Sequence, residues 1–139
     1  MSFKIIKSTL ETYLNDNYSS KAIKWRNTTV YTLDKTVLDD DEISNLTEYI
    51  NPFLAPVSST REMSGGNGIK YKAYFQINIY IKKNIGTGSI YDIVSELENL
   101  YREKIISDVV CSEVEADNTL DAGEWIVTPL RVLCHLYGN

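Results

Sequence analysis

The sequence predicts an α+β protein in which a mostly antiparallel or mixed sheet carries two amphipathic helices packed on one of its faces. Three observations lead there. Apolar residues recur with helical period near the start and again beyond Ser89, a long stretch from Ile69 alternates with the period of a strand, and two further strand-like stretches follow the second helix. This order, with no regular βαβ alternation, argues against a doubly wound nucleotide-binding fold. A length of 139 residues suits one domain, 1–139, able to bury a core.

From Ser2 to about Asn15, Phe3, Ile6, Leu10, Tyr13 and Leu14 fall three or four residues apart, the spacing of one helix face. The run Asn15 to Ser20 ends that helix, because its short polar side chains compete for backbone hydrogen bonds. Ile23 and Trp25, then Thr29, Val30 and Tyr31, read as short β pieces around Arg26-Asn27. Asp39, Asp40, Asp41 and Glu42 repel one another and predict a solvated loop. From Leu46 to Val57, Pro52 and Pro56 argue against a helix and for an extended or edge strand.

Ser58 to Gly68 closes on Ser64-Gly65-Gly66-Asn67-Gly68, a permissive hairpin loop. In Ile69 to Ile81 every odd position is apolar or aromatic, so one face is core and the other meets water or a partner. Gly86-Thr87-Gly88 then breaks the chain and Ser89 is a candidate N-cap. Ile90, Ile93, Val94, Leu97, Leu100, Tyr101 and Ile105 predict a second helix with Asp92, Glu96, Glu98, Arg102 and Glu103 on its solvated side. Strands are expected at about Val109 to Ala116 and Glu124 to Tyr137, joined by the turn-rich run Asp117 to Gly123.

Composition narrows the function. With 43% hydrophobic and 24% charged residues the chain reads as an ordinary globular protein, and a net charge of −5 disfavours a surface built to neutralise nucleic-acid phosphates. No compact helix-turn-helix pattern appears either, so a DNA-binding regulator is disfavoured. Lys4 and Lys7 interrupt the apolar start, which therefore does not resemble a signal-peptide core, and no run is long enough to span a bilayer; the expected location is the cytoplasm. Cys111 and Cys134 sit among apolar residues and are expected as buried free thiols.

The chemical motifs are weak. Gly86-Thr87-Gly88-Ser89 precedes a helix, but Tyr91 stands where a dinucleotide fingerprint needs a third small residue, and the phosphate-loop lysine is missing. His135, beside Cys134, lacks ligands at metal-site spacing, and neither residue belongs to a nucleophile motif. Asp39 to Glu42 lacks the alternating ligands and turn glycine of a calcium loop. These readings point to no catalytic, cofactor or metal site, and a non-enzymatic role is expected.

The order of elements, with Ile23-Lys24-Trp25-Arg26-Asn27, the extended piece around Tyr49-Ile50, the Gly-rich hairpin approached by Arg61, and Tyr71 to Ile81 followed by Gly86-Thr87-Gly88 and a helix, resembles the tail-terminator proteins of long-tailed bacteriophages. The resemblance spans nearly the whole chain. Lys82-Lys83-Asn84-Ile85 stands where that family would show a proline, and the Asp39 to Glu42 stretch looks like an insertion.

The resemblance implies a ring, commonly a hexamer, that docks on the last ring of tail-tube subunits, stops polymerisation and offers its other face to head-completion or connector proteins. It implies assembly in the host cytoplasm and a final place at the head-proximal end of the tail. For the subunit or tube interface the candidates are Arg61, Gly65, Gly66, Gly68, Tyr74, Gln76, Asn78 and Tyr80. Asp39, Asp40, Asp41, Glu42, Glu113 and Glu115 are candidates for an acidic channel lining that repels passing DNA. The competing readings are another neck component, such as a tail-completion or head-tail joining protein, or a small cytoplasmic enzyme or ligand-binding module.

Overall fold

A computed structural model describes residues 2–19, 21–24, 30–31, 37–38, 47–61, 69–83 and 88–138. In chain order the elements are α1 (Ser2–Asn17), β1 (Ala22–Lys24), β2 (Val30–Tyr31), β3 (Val37–Leu38), β4 (Glu48–Arg61), β5 (Ile69–Lys82), α2 (Gly88–Tyr101), β6 (Lys104–Ile106), β7 (Val109–Ala116), β8 (Leu120–Ala122) and β9 (Trp125–Gly138). The strands form one sheet in the order β3-β2-β1-β4-β5-β9-β7-β6, with β8 paired to the start of β9. Only β1 and β4 run parallel among these pairs, so the sheet is mixed and mostly antiparallel, as expected.

β5 is the spine of this sheet because its period-2 pattern serves both sides. Ala73, Phe75, Ile77, Ile79 and Ile81 are fully buried, and the even positions between them stay partly exposed. Its partner β4 pairs along the same length, with a bulge at Pro56/Ser58 that leaves Val57 half exposed. β9 pairs with β5 from Lys82↔Trp125 to Ile69↔Gly138 and brings Leu130, Val132, Cys134 and Leu136 to the buried face.

Both helices cover that one face. α1 buries Ile6, Leu10 and Leu14, and α2 buries Ile90, Ile93, Leu97 and Tyr101. Each such aliphatic side chain contributes about 1.5–3 kcal/mol relative to exposure, enough in sum to hold helices too short to persist alone. Tyr101 locks the layer: its ring meets Tyr13 and Phe75 edge-on at 5.6 and 5.7 Å, and its hydroxyl donates to the Leu10 carbonyl oxygen at 3.1 Å. Tyr13 returns the link by donating to the Leu100 carbonyl at 3.1 Å.

Several expectations need correction. Ile105 is not helical: α2 ends at Tyr101, Glu103 takes φ 55°, and Ile105 lies in the edge strand β6 with 72% of its surface exposed. Arg102 and Glu103 accordingly follow the helix instead of riding on its face. Ser89 is the second residue of α2, which starts at Gly88, so it is not the cap. The extended reading of Leu46 to Val57 survives in a longer strand that runs to Arg61 and includes residues assigned to the hairpin loop. Pro52 and Pro56 are tolerated there because β1 pairs with β4 only at Tyr49 and Ile50, leaving the outer side of the later residues without a described neighbour. Within the turn-rich run after Asp117, Leu120 to Ala122 pair with β9 as β8, and Gly123 (φ 69°) makes the tight reversal between them.

Cys111 and Cys134 are free and buried, as the sequence suggested, and pairing of β7 with β9 sets them directly opposite one another. Burial pushes both thiols up to about 12. Cys134 also donates to the Ala73 carbonyl at 3.2 Å.

Candidate functional site

The side of the sheet away from the helices is built by the other set of alternating positions. On β5 these are Lys70, Lys72, Tyr74, Gln76, Asn78, Tyr80 and Lys82, and the register sets them beside β4 and β9 neighbours of the same parity. Among the described residues no helix lies on this side. Its chemistry falls into three zones along the strands.

At the first zone Tyr80 stacks on Tyr49 with ring centroids 4.6 Å apart and planes 4° from parallel. Trp125 closes edge-on against both, at 5.0 Å from Tyr49 and 6.4 Å from Tyr80, and the Lys82 ammonium lies 5.5 Å from the Trp125 ring. The register explains the cluster, because Tyr49↔Tyr80 and Tyr80↔Val127 set three strands side by side with Trp125 at the next same-face position. Tyr49 is only 6% exposed, and burial with the neighbouring Tyr80 pushes its phenol up to about 12.

The middle zone is polar. Gln76 donates its amide to Asn78 Oδ1 at 2.9 Å, and Asn51, opposite Asn78, has a buried Oδ1 with no hydrogen-bond partner among the described residues. Arg131 spans the next gap. Its guanidinium lies 5.6 Å from the Tyr74 ring centroid and donates to Asp117 Oδ2 at 2.6 Å.

The last zone is basic. Lys70 lies 5.7 Å from the Tyr137 ring centroid, and Lys72 pairs across the strands with His135. Partial burial, with Lys70 and Lys72 close by, holds the His135 imidazole below its ordinary value. His135 lies within β9, where a strand was expected, and is partly exposed.

Of the interface candidates, Tyr74, Gln76, Asn78 and Tyr80 thus lie in one half-buried row on this side. Arg61 is the last residue of β4 and pairs with Ile69, while Gly65, Gly66 and Gly68 lie outside the described residues. Glu113 and Glu115 are exposed on β7, Glu115 opposite Arg131. With Arg102, Glu103, Ser112 and Val114 they line an open cleft of about 270 Å³. Arg102 donates to the Val114 carbonyl at 3.2 Å and pairs with Glu98 at 3.5 Å, so the cleft's cation is committed to its own wall. Asp39, Asp40, Asp41 and Glu42 lie outside the described residues.

Sequence reasoning missed Tyr49, Trp125, Arg131 and Asp117 as members of this surface. The alternation along β9 carried part of the signal, but the pairing register that joins them to Tyr74 and Tyr80 is a tertiary fact. A second open groove of about 400 Å³ runs between α1 and the β6–β7 turn, lined by Ser8, Thr9, Thr12 and Asp16 among others. Among the described residues no group of three or more His, Cys, Asp or Glu is placed to hold a metal ion, and no helix is long and apolar enough to cross a membrane.

No family model and no curated protein matches the chain. Fifteen chains of solved structures are similar to it. One, whose name describes no function, aligns over 100% of this chain and 97% of its own with a TM-score of 0.66 at 15% identity. A likeness at that identity shows a shared fold alone.

Proposed function

We propose that the chain is a structural protein of a long-tailed phage that caps the tail tube as a ring, ends tube polymerisation and provides the head-joining surface. The observation that carries this reading is the helix-free sheet face. Tyr74, Gln76, Asn78 and Tyr80 line up there with Arg131, a row of aromatic, amide and guanidinium groups. Such a mixture suits a partner protein better than a small substrate, which needs a concave, mostly apolar pocket with a few converging polar groups. The resemblance of the sequence to tail-terminator proteins supplies the partner class: other copies of the chain, the tail-tube protein, and head-completion or connector proteins. No direct sequence-specific nucleic-acid contact, membrane contact or cofactor is part of this role. Exposed Glu113 and Glu115 fit a wall that repels passing DNA.

The test is negative-stain electron microscopy of lysates from phage carrying a nonsense mutation in this gene. Overlong tubes with unattached heads are expected. Tails of normal length that fail to join heads would favour a tail-completion or head-tail joining role, and normal virions would return the chain to the enzyme or ligand-binding reading. In phage with an otherwise intact gene, Glu113→Gln with Glu115→Gln is expected to slow DNA passage, and normal ejection would remove those two residues from the channel. Deletion of Gly65 to Gly68 is expected to impair capping.

A further inference from the structure

Among the described residues, the Lys70–Lys72 end of the helix-free face and the outer face of α2 carry opposite charge. The helix-free face holds Lys70, Lys72 and Lys82, while Arg131 is paired with Asp117 and lies opposite Glu115. On the other side, α2 turns its buried stripe of Ile90, Ile93, Leu97 and Tyr101 to the sheet, so Asp92, Glu96 and Glu98 border the surface it presents outward, with Arg102 3.5 Å from Glu98 and with Lys4 and Lys7 exposed on α1. Tyr91 projects from that same acidic surface with 71% of its area exposed, and it is the most exposed aromatic of the helix layer. A large amphipathic ring facing away from its own core has the character of an interface anchor.

We infer that the acidic outer face of α2 on one copy docks on the basic, aromatic end of the sheet face of a second copy, with Asp92 and Glu98 meeting Lys70 and Lys72 and with Tyr91 packed beside Tyr137. Charge complementarity selects this occupant. A copy stacked sheet to sheet would bring Lys70 and Lys72 against their own equivalents, and one stacked α2 to α2 would oppose carboxylates, both repulsive at short range. The outer face of α2 against the basic end of the sheet brings unlike charges together. Because the two surfaces differ, the contact is heterologous: each copy uses one surface and leaves the other free, and repetition either closes a ring or grows a filament. The inference deepens the ring reading above by naming the surfaces that meet, and it rests on this chain's own charge distribution.

Self-association of the purified chain, measured by sedimentation at low and high salt up to millimolar concentration, tests it. The wild type is expected to associate at low salt and to weaken as salt rises. Lys70→Glu with Lys72→Glu, and separately Asp92→Lys with Glu98→Lys, should each weaken association by about tenfold or more, with circular dichroism unchanged. An equal mixture of the two variants should regain it, since the acidic sheet of one then faces the basic helix of the other. A wild type that stays monomeric throughout, a variant that associates like the wild type, or a mixture that gains nothing would each overturn the contact. Normal tail capping in phage carrying the Lys70/Lys72 variant would likewise sink this contact while leaving the capping role standing. Association restored by mixing, alongside normal virions from the nonsense mutant, would do the reverse.

Discussion

Tyr101 reaches from the end of α2 to donate its hydroxyl to the carbonyl oxygen of Leu10 in the middle of α1, 3.1 Å away, and so ties the two helices together across the core. The ring is fully buried, and burial holds the phenol well above its ordinary value, with the neighbouring Cys111 a smaller contributor. Replacing Tyr101 with Phe keeps the edge-on contacts with Tyr13 and Phe75 and removes the hydrogen bond. A loss of about 1 kcal/mol is expected in urea unfolding, with the slope of the transition unchanged.

Alkaline pH should unfold the protein before it damages it. Tyr18, Tyr49 and Tyr101 are all held above the value of a free phenol, chiefly by burial, so the unfolded chain releases these protons first. Their contribution to stability is complete below the unfolded value of about 10 and is lost as pH rises above it toward the folded values. Unfolding midpoints measured from neutral pH upward should therefore fall from about pH 9 onward, and a midpoint that is flat beyond that range would contradict the burial of these groups.

The two thiols make a companion case. With Cys111 and Cys134 pushed up to about 12 and sealed inside the sheet, almost no thiolate is present at neutral pH. A chromogenic disulfide reagent should leave both unmodified in the native protein and titrate both at once in denaturant. Rapid modification of either in buffer would show that the β7–β9 edge opens locally.

The Arg131–Asp117 pair is a weaker element despite its 2.6 Å contact, because the two side chains are 33% and 50% exposed. Water and salt screen it. Asp117→Asn is expected to cost less than about 1 kcal/mol at low salt and nothing measurable at high salt, judged by the urea midpoint. A larger loss would mean that orienting Arg131 over Tyr74 matters more than the charge pair itself.

Tyr49 is the buried member of the aromatic trio and should dominate it. Tyr49→Ala removes the stacked partner of Tyr80 and the edge contact to Trp125, with an expected loss of about 3–5 kcal/mol. Comparison with a Trp25→Phe background would isolate Trp125, whose emission should shift to longer wavelength as it becomes wet.

The parts of this fold that were legible in the sequence are those governed by local periodicity. The odd-numbered apolar residues of β5 announce a one-sided strand, and Ile6, Leu10 and Leu14 announce a helix face. Ile105 shows where local spacing misleads: it stands four residues after Tyr101, in perfect helical register, yet the left-handed turn at Glu103 sends it into an edge strand with its side chain in water. The candidate surface was half legible. Tyr74, Gln76, Asn78 and Tyr80 follow from alternation, whereas Tyr49, Trp125 and Arg131 reach them only through strand pairing between distant segments, and no short-range pattern encodes that pairing.

β5 lies between β4, which precedes it by one hairpin, and β9, which comes to it from tens of residues further along the chain. The first pairing is cheap in loop entropy and the second is not, so the hairpin should form early and wait. During that wait a 14-residue strand rich in Ile and Tyr carries an open edge, the template on which unfolded copies pair wrongly. The time β9 takes to arrive, more than the strength of the finished sheet, then sets how much of the protein is lost to aggregation when it is made at high concentration.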